Sequence, residues 1–250
     1  MQKSSPQVAK RLGSIPGKLL ESRELLVLKL MITAYRKVCE EKRYPIKRHE
    51  EWFSAILKGC IEEMCLEYSI ATGHHWHVTR EDLNDNEQIR MGQADPRNAP
   101  RIDITITCWR GLGGNRTKFP FENKRIIDND TELIKAYIKD GLIDRYLNQQ
   151  KDYSAGQPWG GMIGYILQGL HTTIADKLNE QIDAQLKSPT ERICIDHPIE
   201  GFEPVYKSQH QHPDGIGILT IKHLFLTFLQ EDEVTDKGSE NAGDHPIAHH

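Results

Sequence analysis

Three charged residues have the types and the spacing of a metal-dependent hydrolytic site. Asp103 closes the segment Pro-Arg-Ile-Asp, and Glu122 and Lys124 follow 19 and 21 residues after it. Carboxylate oxygens suit a magnesium ion, and a lysine beside them can hold or polarise an attacking water. Hydrolysis of a phosphodiester requires such groups, because charge that develops on the phosphate must be neutralised and a water must be positioned.

The hydrophobic pattern predicts two paired strands that would bring these residues together. Isoleucine occupies every second position of residues 102–106, which is typical of a strand with one face in the core. A glycine-rich loop separates it from a second strand-like segment, residues 118–127. Because side chains alternate along a strand, Glu122 and Lys124 share one face, and Asp103 points away from the isoleucines. A hairpin would therefore bring two carboxylates and one ammonium to one point.

The surrounding elements alternate between helices and strands. Thr131 is predicted to cap the third helix at its N-terminus, and Gly73 to end the second. Residues 74–99 are predicted to be irregular, apart from a short strand near residues 88–91. The predicted helices cover residues 18–43, 48–70, 131–150 and 171–186, and the further strands cover 162–167, 205–210 and 217–229. This order predicts an α/β fold with a mixed central sheet flanked by helices, an extra N-terminal helix and C-terminal strands.

Charge is distributed unevenly along the chain. The formal net charge is −4, but residues 1–48 carry twelve Lys/Arg against four acids, and residues 230–250 carry six acids against one lysine. We therefore predict a basic helical arm over residues 1–47, a folded domain over 48–229 and an acidic, disordered tail over 230–250. The apolar positions of the leucine-rich helix cover more than one face, so it is either buried on several sides or packed on a partner chain.

The composition excludes several classes of protein. The longest apolar run is eight residues and contains a lysine, far short of the roughly 20 residues that a membrane-spanning helix needs. The first residues lack the apolar core of a signal peptide, and five scattered cysteines suit reduced thiols, so we expect a cytoplasmic protein without a membrane anchor. A net charge of −4 argues against a generic nucleic-acid coat.

The motif Pro-x-x-Asp followed by Glu-x-Lys resembles that of the PD-(D/E)xK nuclease superfamily, which has the restriction-endonuclease-like fold. Two residues separate Pro100 from Asp103, whereas the named motif has them adjacent. The resemblance covers approximately residues 50–186. It implies that Asp103 and Glu122 bind Mg²⁺ or Mn²⁺ and that Lys124 helps to activate water. The implied activity is that of a magnesium-dependent deoxyribonuclease, and an endonuclease is favoured over an exonuclease.

The resemblance also suggests further site residues. Superfamily members often add a glutamate from the preceding helix, for which Glu63 is the candidate, unless it belongs to a solvated acidic face. The pair Gln149 and Tyr153 resembles the Q-x-x-x-Y element of the exonuclease branch, in which the glutamine orients the metal-bound water and the tyrosine contacts DNA; a chance match is the alternative. The arginines expected to contact phosphates are Arg101, Arg125 and Arg145.

Three functional interpretations remain open from the sequence. A stand-alone fold of this kind resembles nuclease effectors of bacterial anti-phage systems, which act with a partner protein, often an ATPase that senses infection. We would then expect DNA as substrate, a partner on the N-terminal helix, and an oligomer as one option. The alternative is a non-catalytic, nuclease-like subunit that docks through residues 18–43, with Asp103 as a strand-edge acid and Glu122 and Lys124 as a surface ion pair. A site-specific restriction enzyme is a third option.

Overall fold

The chain forms a seven-stranded mixed sheet with helices on both faces, an α/β architecture. The computed structural model describes residues 23–44, 49–83, 101–109, 116–148, 153–154, 158–186, 191–196, 199–213, 215 and 217–228. The helices are α1 (Arg23–Glu40), α2 (Glu50–Thr72), α3 (Thr131–Ala136), a π-helix (Tyr137–Leu147) and α4 (His171–Gln185). The strands are β1 (His75–Leu83), β2 (Arg101–Trp109), β3 (Thr117–Ile127), β4 (Trp159–Gln168), β5 (Glu191–Ile195), β6 (Val205–Gln211) and β7 (Ile218–Thr227).

Strand β4 occupies the centre of the sheet. The strand order is β1-β2-β3-β4-β7-β6-β5. Strand β4 runs parallel to both β3 and β7, and the other pairs are antiparallel. Parallel neighbours require crossover connections, which helix α3 and the π-helix provide between β3 and β4. Because helices cover both faces, nearly every residue of β4 is buried.

Two hydrophobic cores lie on opposite faces of the sheet. Helices α1 and α2 pack on one face, where Ile163 and Tyr165 of β4 point. Helix α3, the π-helix and α4 pack on the other face, where Met162 and Ile166 point. Alternation along a single strand therefore supplies both cores.

Helix α1 is part of the first core and not a separate arm. Its buried residues are Leu26, Val27, Leu28, Leu30, Met31, Ile32, Ala34 and Val38. The boundary predicted at residue 47 is thus wrong for residues 23–40, since this apolar surface is already covered within the chain. Residues 1–22 and the acidic tail lie outside the described residues. Among the helices that the structure describes, none combines the length and the apolarity that crossing a membrane demands.

Most predicted elements are confirmed, and the differences have local causes. Helix α2 ends at Gly73, whose positive φ of 67° suits a glycine. Helix α3 is capped by Asp130, whose side chain accepts from the N–H groups of Glu132 and Leu133, so the predicted cap at Thr131 is wrong. Residues 75–83, predicted to be irregular, form β1, and β5 was not predicted. The strand predicted near residues 88–91 lies outside the described residues.

Candidate active site at the free edge of strand β3

Strand β3 extends beyond the end of its pairing with β2, and this extension positions the candidate site. The ladder between the two strands ends at the pair Ile104 and Phe121, whereas β3 continues to Ile127. Backbone N–H groups on the freed edge need acceptors. The N–H of Asn123 donates to Asp103 Oδ2 at 2.8 Å. The edge of β3 therefore holds the Asp103 carboxylate beside the strand that carries Glu122 and Lys124.

Where β2 no longer pairs with β3, its side chains also change from one face of the sheet to the other. Ile104 and Ile106 lie in the first core, but Ile102 lies in the second. The prediction that all three isoleucines share one face is therefore wrong, and the change falls in the part of β2 before Ile104, beyond the last pair of its ladder with β3. Asp103 sits at this change of direction, which lets its side chain reach the edge of β3.

A second carboxylate reaches the same edge from helix α2. The N–H of Arg125 donates to Glu50 Oε2 at 3.1 Å, and Lys124 Nζ lies 3.3 Å from Glu50 Oε1. Glu50 is the first residue of α2 and was missed by the sequence reasoning. A signal was present, because Glu50, Ser54 and Leu57 recur at helical spacing on the buried face of that helix.

Lys124 links the acids of the site. Its ammonium donates to Glu122 Oε1 at 2.6 Å, to the Asn123 carbonyl at 2.9 Å and to Glu50 at the distance above. An ammonium has three donors, so these acceptors satisfy it fully. The Glu122 side chain is only 1% exposed and also accepts from Arg145 Nε at 3.3 Å. We call the set Glu50, Asp103, Glu122, Lys124 and Arg145 the carboxylate cluster.

Burial and mutual repulsion shift the protonation of these acids. Burial, and after it the neighbouring Asp103 charge, raises the pKa of Glu122 to about 7 against the lowering effects of Lys124 and Arg145. Burial also raises the pKa of Asp103 and of Glu50. Burial alone would lower the pKa of Lys124, but Glu122, Glu50 and Asp103 together raise it above its usual value. Lys124 therefore stays a cation at neutral pH, whereas Glu122 gains or loses its proton near pH 7.

Two of these acids suit a divalent cation of the magnesium type. Glu122 Oε2 is buried without a hydrogen-bond partner, on the residue whose other oxygen Lys124 holds. In the described part of the chain, no group of three or more His, Cys, Asp or Glu residues forms a metal cage. Mg²⁺ usually takes only one or two carboxylates and completes its shell with water and substrate phosphates. Asp103 and Glu122 fit such a pair, and binding of the cation would compete with protonation of Glu122.

The π-helix delivers Arg145 to the cluster through a close approach at Gly141. A Cβ on Gly141 would lie 2.5 Å from Met162 Cε and 3.5 Å from Lys124 Cγ. A larger residue here would therefore require the end of the Met162 side chain to move, whereas its contact with Lys124 would be an ordinary one. The arginine predicted to contact a phosphate is therefore positioned next to Glu122, as the contact at 3.3 Å shows.

Tyr153 is placed near the cluster but is buried. Its side chain is 2% exposed, and its hydroxyl donates to the carbonyl of Arg101. Its ring lies 5.4 Å below the guanidinium of Arg145. The predicted contact of Tyr153 with DNA is therefore wrong; this residue supports Arg145 instead. Gln149, its predicted companion, lies outside the described residues.

Glu63 is not brought to the site. It forms ion pairs with Lys37 at 2.5 Å and with Arg43 at 2.8 Å. Hydrogen bonds from Arg43 and Lys37 lower the pKa of Glu63 to about 2. It follows Glu50 by 13 positions on α2, which is roughly 20 Å along a helix axis. The structure therefore does not bring Glu63 to the cluster, and the acid that α2 places there is Glu50.

The remaining predicted arginines lie on the two strands that carry the cluster, and the backbone N–H of Arg125 donates to Glu50. Arg101 is exposed at the start of β2, and Arg125 is half-buried on β3. By alternation, Arg125 lies on the face of β3 opposite Glu122 and Lys124. Of the predicted set, the structure thus brings together Asp103, Glu122, Lys124 and Arg145.

The fold and this cluster define the class: an α/β protein with a buried acid–lysine site at the free edge of a central strand. Protein-family models, curated proteins and solved structures were compared with the chain, and none matches it.

Proposed function

We propose that this chain is a divalent-metal-dependent nuclease that hydrolyses DNA phosphodiester bonds on a restriction-endonuclease-like core. The observation that carries the proposal is the buried, unpartnered Oε2 of Glu122 beside Asp103, with the ammonium of Lys124 2.6 Å from Oε1. A buried carboxylate oxygen without a partner is costly, and a bound cation would remove that cost.

Each residue of the cluster has a role in this proposal. Asp103 and Glu122 hold Mg²⁺ or Mn²⁺, which when bound neutralises charge on the scissile phosphate. Because Lys124 stays protonated, it stabilises negative charge and does not remove a proton. To orient the attacking water it must exchange one of its three present acceptors for that water. Glu50 fixes the ammonium of Lys124 and, as the acid of the cluster that holds no metal in this proposal, accepts the proton of the water. Arg145 provides a second cation for the phosphate.

A supercoiled plasmid tests the activity and the mode of cleavage together, since a circle has no ends for an exonuclease. We expect the wild type to nick or linearise the plasmid with Mg²⁺ or Mn²⁺. Asp103→Asn and Lys124→Ala should each slow cleavage by at least about 100-fold, as loss of a charge-stabilising group does elsewhere. The matched control is Glu132→Gln, which removes an exposed carboxylate paired with Lys135 on α3.

Cleavage that survives both substitutions would overturn the proposed site. Titration of Mn²⁺ into the protein tests the metal pair without relying on activity. Binding should be lost in Asp103→Asn and in Glu122→Gln and retained in Glu132→Gln. A smear of products indicates non-specific cutting, whereas discrete bands indicate a site-specific restriction enzyme.

The biological role as an anti-phage effector, acting with a sensing partner protein in the cytoplasm, follows from the resemblance in the sequence. Its test is protection of bacteria from phage by the wild-type gene and its loss with Asp103→Asn. The alternative of a docking subunit is weakened, because the apolar residues of α1 that would dock are buried against α2 and the sheet.

A further inference from the structure

An exposed basic surface lies on the same face of the sheet as the carboxylate cluster. It consists of His75, His77, Trp109, Arg116 and Lys118, which we call the basic face. His75, His77, Arg116 and Lys118 are exposed, and Trp109 is half-buried. The basic face therefore presents cationic and imidazole groups to solvent.

The strand register places this surface in line with the site. His77 pairs with Thr107, and Thr107 pairs with Lys118, so these three form one row across β1, β2 and β3. Lys118 and Glu122 are an even number of residues apart on β3 and so share a face. Four residues of strand correspond to ~13 Å, which makes the basic face a direct continuation of the site along β3.

Stacking orders the other residues of the basic face, His75, Trp109 and Arg116, which lie beside that row. The rings of His75 and Trp109 are stacked with centroids 5.5 Å apart and an interplanar angle of 21°. The guanidinium of Arg116 lies 5.3 Å from the centre of the Trp109 ring. A guanidinium on an aromatic ring keeps its N–H groups free for an anion. Trp109 thus holds the Arg116 guanidinium in a fixed position on the basic face.

The groove that crosses the basic face contains no acid among its described lining residues. These residues are His77, Thr79, Thr107, Trp109, Arg116 and Lys118. This local composition contrasts with the net charge of −4 for the whole chain. A groove lined by Lys, Arg, Thr and His side chains complements a row of phosphates, since each of them can bond to phosphate oxygens.

We propose that the basic face binds the phosphate backbone of DNA and guides it into the carboxylate cluster. This inference rests on the proposed function and specifies how its substrate is held. Arg116 and Lys118 bind two phosphates as cations, and Thr107 contributes a hydroxyl. Such contacts carry no sequence information, so DNA is bound here without sequence preference.

The affinity of the full-length protein for a labelled DNA duplex is measured by fluorescence anisotropy at a series of salt concentrations. The Asp103→Asn variant is used, because it should not cleave the duplex during the measurement. Each neutralised phosphate contributes about 0.9 to the slope of log affinity against log salt. The added substitutions Arg116→Ala and Lys118→Ala should therefore reduce that slope by about 1.8 and weaken binding equally for unrelated sequences. The matched control is Arg192→Ala with Lys207→Ala, which removes two positive charges from β5 and β6 at the other end of the sheet.

An unchanged slope, or an equal loss in the control, overturns the proposal. Tighter binding of an RNA duplex, with the same dependence on Arg116 and Lys118, overturns the choice of DNA. Binding of poly-glutamate that depends on these residues, without any such dependence for DNA, assigns the surface to an acidic protein and also overturns it.

Kinetics separates this proposal from the proposed function. In the background that retains Asp103, the substitutions at Arg116 and Lys118 should raise KM for plasmid and leave kcat within about twofold. If DNA binding depends on the basic face but no cleavage is found, the nuclease proposal fails and this surface stands. If cleavage is found and KM does not change, this surface fails and the nuclease proposal stands.

Discussion

Two buried polar clusters lie against the π-helix, and they differ in charge. The carboxylate cluster contains ions. The second, which we call the imidazole cluster, consists of Tyr137, Ser208, His210 and His223. Ser208 Oγ bridges His210 Nε2 at 2.8 Å and His223 Nε2 at 2.9 Å, and the Tyr137 hydroxyl lies 3.0 Å from His223 Nδ1. Burial lowers the pKa of His210 to about 4 and that of His223 to about 3, so this cluster is neutral at pH 7.

The difference shows which cluster is organised for chemistry. A neutral chain of hydrogen bonds is an inexpensive way to bury polar groups, and it stabilises the sheet locally. The carboxylate cluster instead keeps two cations and three acids at one place. Among the described residues, each cluster leaves one buried polar atom without a hydrogen-bond partner, Glu122 Oε2 and His210 Nδ1, so the clusters differ in charge. Burial of a polar group is thus no sign of function by itself. Charge retained in spite of burial is the stronger indication.

The largest expected effect on the free energy of unfolding is that of removing the Lys124 ammonium. Lys124→Met leaves Glu50 and the buried Glu122 without their ammonium partner, so the free energy of unfolding should fall by about 3–5 kcal/mol. Denaturant unfolding at pH 7 measures this free energy. The companion variant is Lys124→Met/Glu122→Gln, which should recover part of the loss because it also removes the buried Glu122 charge. A loss under about 1 kcal/mol would show that the pair behaves as an exposed one.

The two clusters should also give opposite pH dependence. The pKa of Glu122 in the folded chain is about 7, above its usual 4.5. Its contribution to stability is therefore complete at low pH and is lost as the pH rises through about 7, by on the order of 3 kcal/mol. The lowered pKa values of His210 and His223 act in the other direction. Their contribution is complete above pH 6.5 and is lost as the pH falls toward 4 and 3.

Unfolding free energies measured from pH 4 to pH 8.5 test both signs. Glu122→Gln should flatten the decline toward alkaline pH, and His210→Gln should flatten the decline toward acid. Mg²⁺ should stabilise the wild type more at pH 8 than at pH 5.5, because protons compete for its ligands. A wild-type profile that Glu122→Gln leaves unchanged would contradict the shifted pKa of Glu122.

Within the imidazole cluster, the bridging hydroxyl should have the greater effect. Ser208→Ala leaves the Nε2 atoms of two buried histidines without their shared partner, which should cost about 2 kcal/mol. Chemical denaturation measures the loss, and plasmid cleavage should be unchanged, since these groups do not contact the carboxylate cluster. A parallel loss of cleavage would mean that the two clusters are coupled through the π-helix.

The smallest expected effect is that of Tyr137→Phe, which removes the end of the hydrogen-bonded chain. The free energy of unfolding should fall by about 1 kcal/mol, the usual contribution of a neutral hydrogen bond. Thermal unfolding at pH 7 is a sufficient measurement. A loss larger than about 3 kcal/mol would place Tyr137 among the residues that determine packing of the π-helix.

Sequence reasoning succeeded where local geometry determines the outcome. Alternation along β3 placed Glu122 and Lys124 on one face, and the structure joins them at 2.6 Å. It failed for the helix-borne acid, because Glu50 and Glu63 lie on the same helix and only the docking of α2 against the free edge of β3 distinguishes them. It also failed for Tyr153, since a polar-tipped aromatic is compatible with exposure or burial until its neighbours are known.

By itself, the sequence determined the α/β class, the two strands of the candidate site and the pairing of an acid with a lysine, since these follow from the period of the side chains. The tertiary structure decided which distant groups join them. Asp103 and Glu50 arrive because β2 stops pairing at Ile104 and leaves N–H groups on β3 that need acceptors. Arg145 arrives because the π-helix packs against the sheet beside Met162 and Lys124, with Gly141 at the contact. Such contacts depend on how helices pack on a sheet, which short-range patterns do not specify.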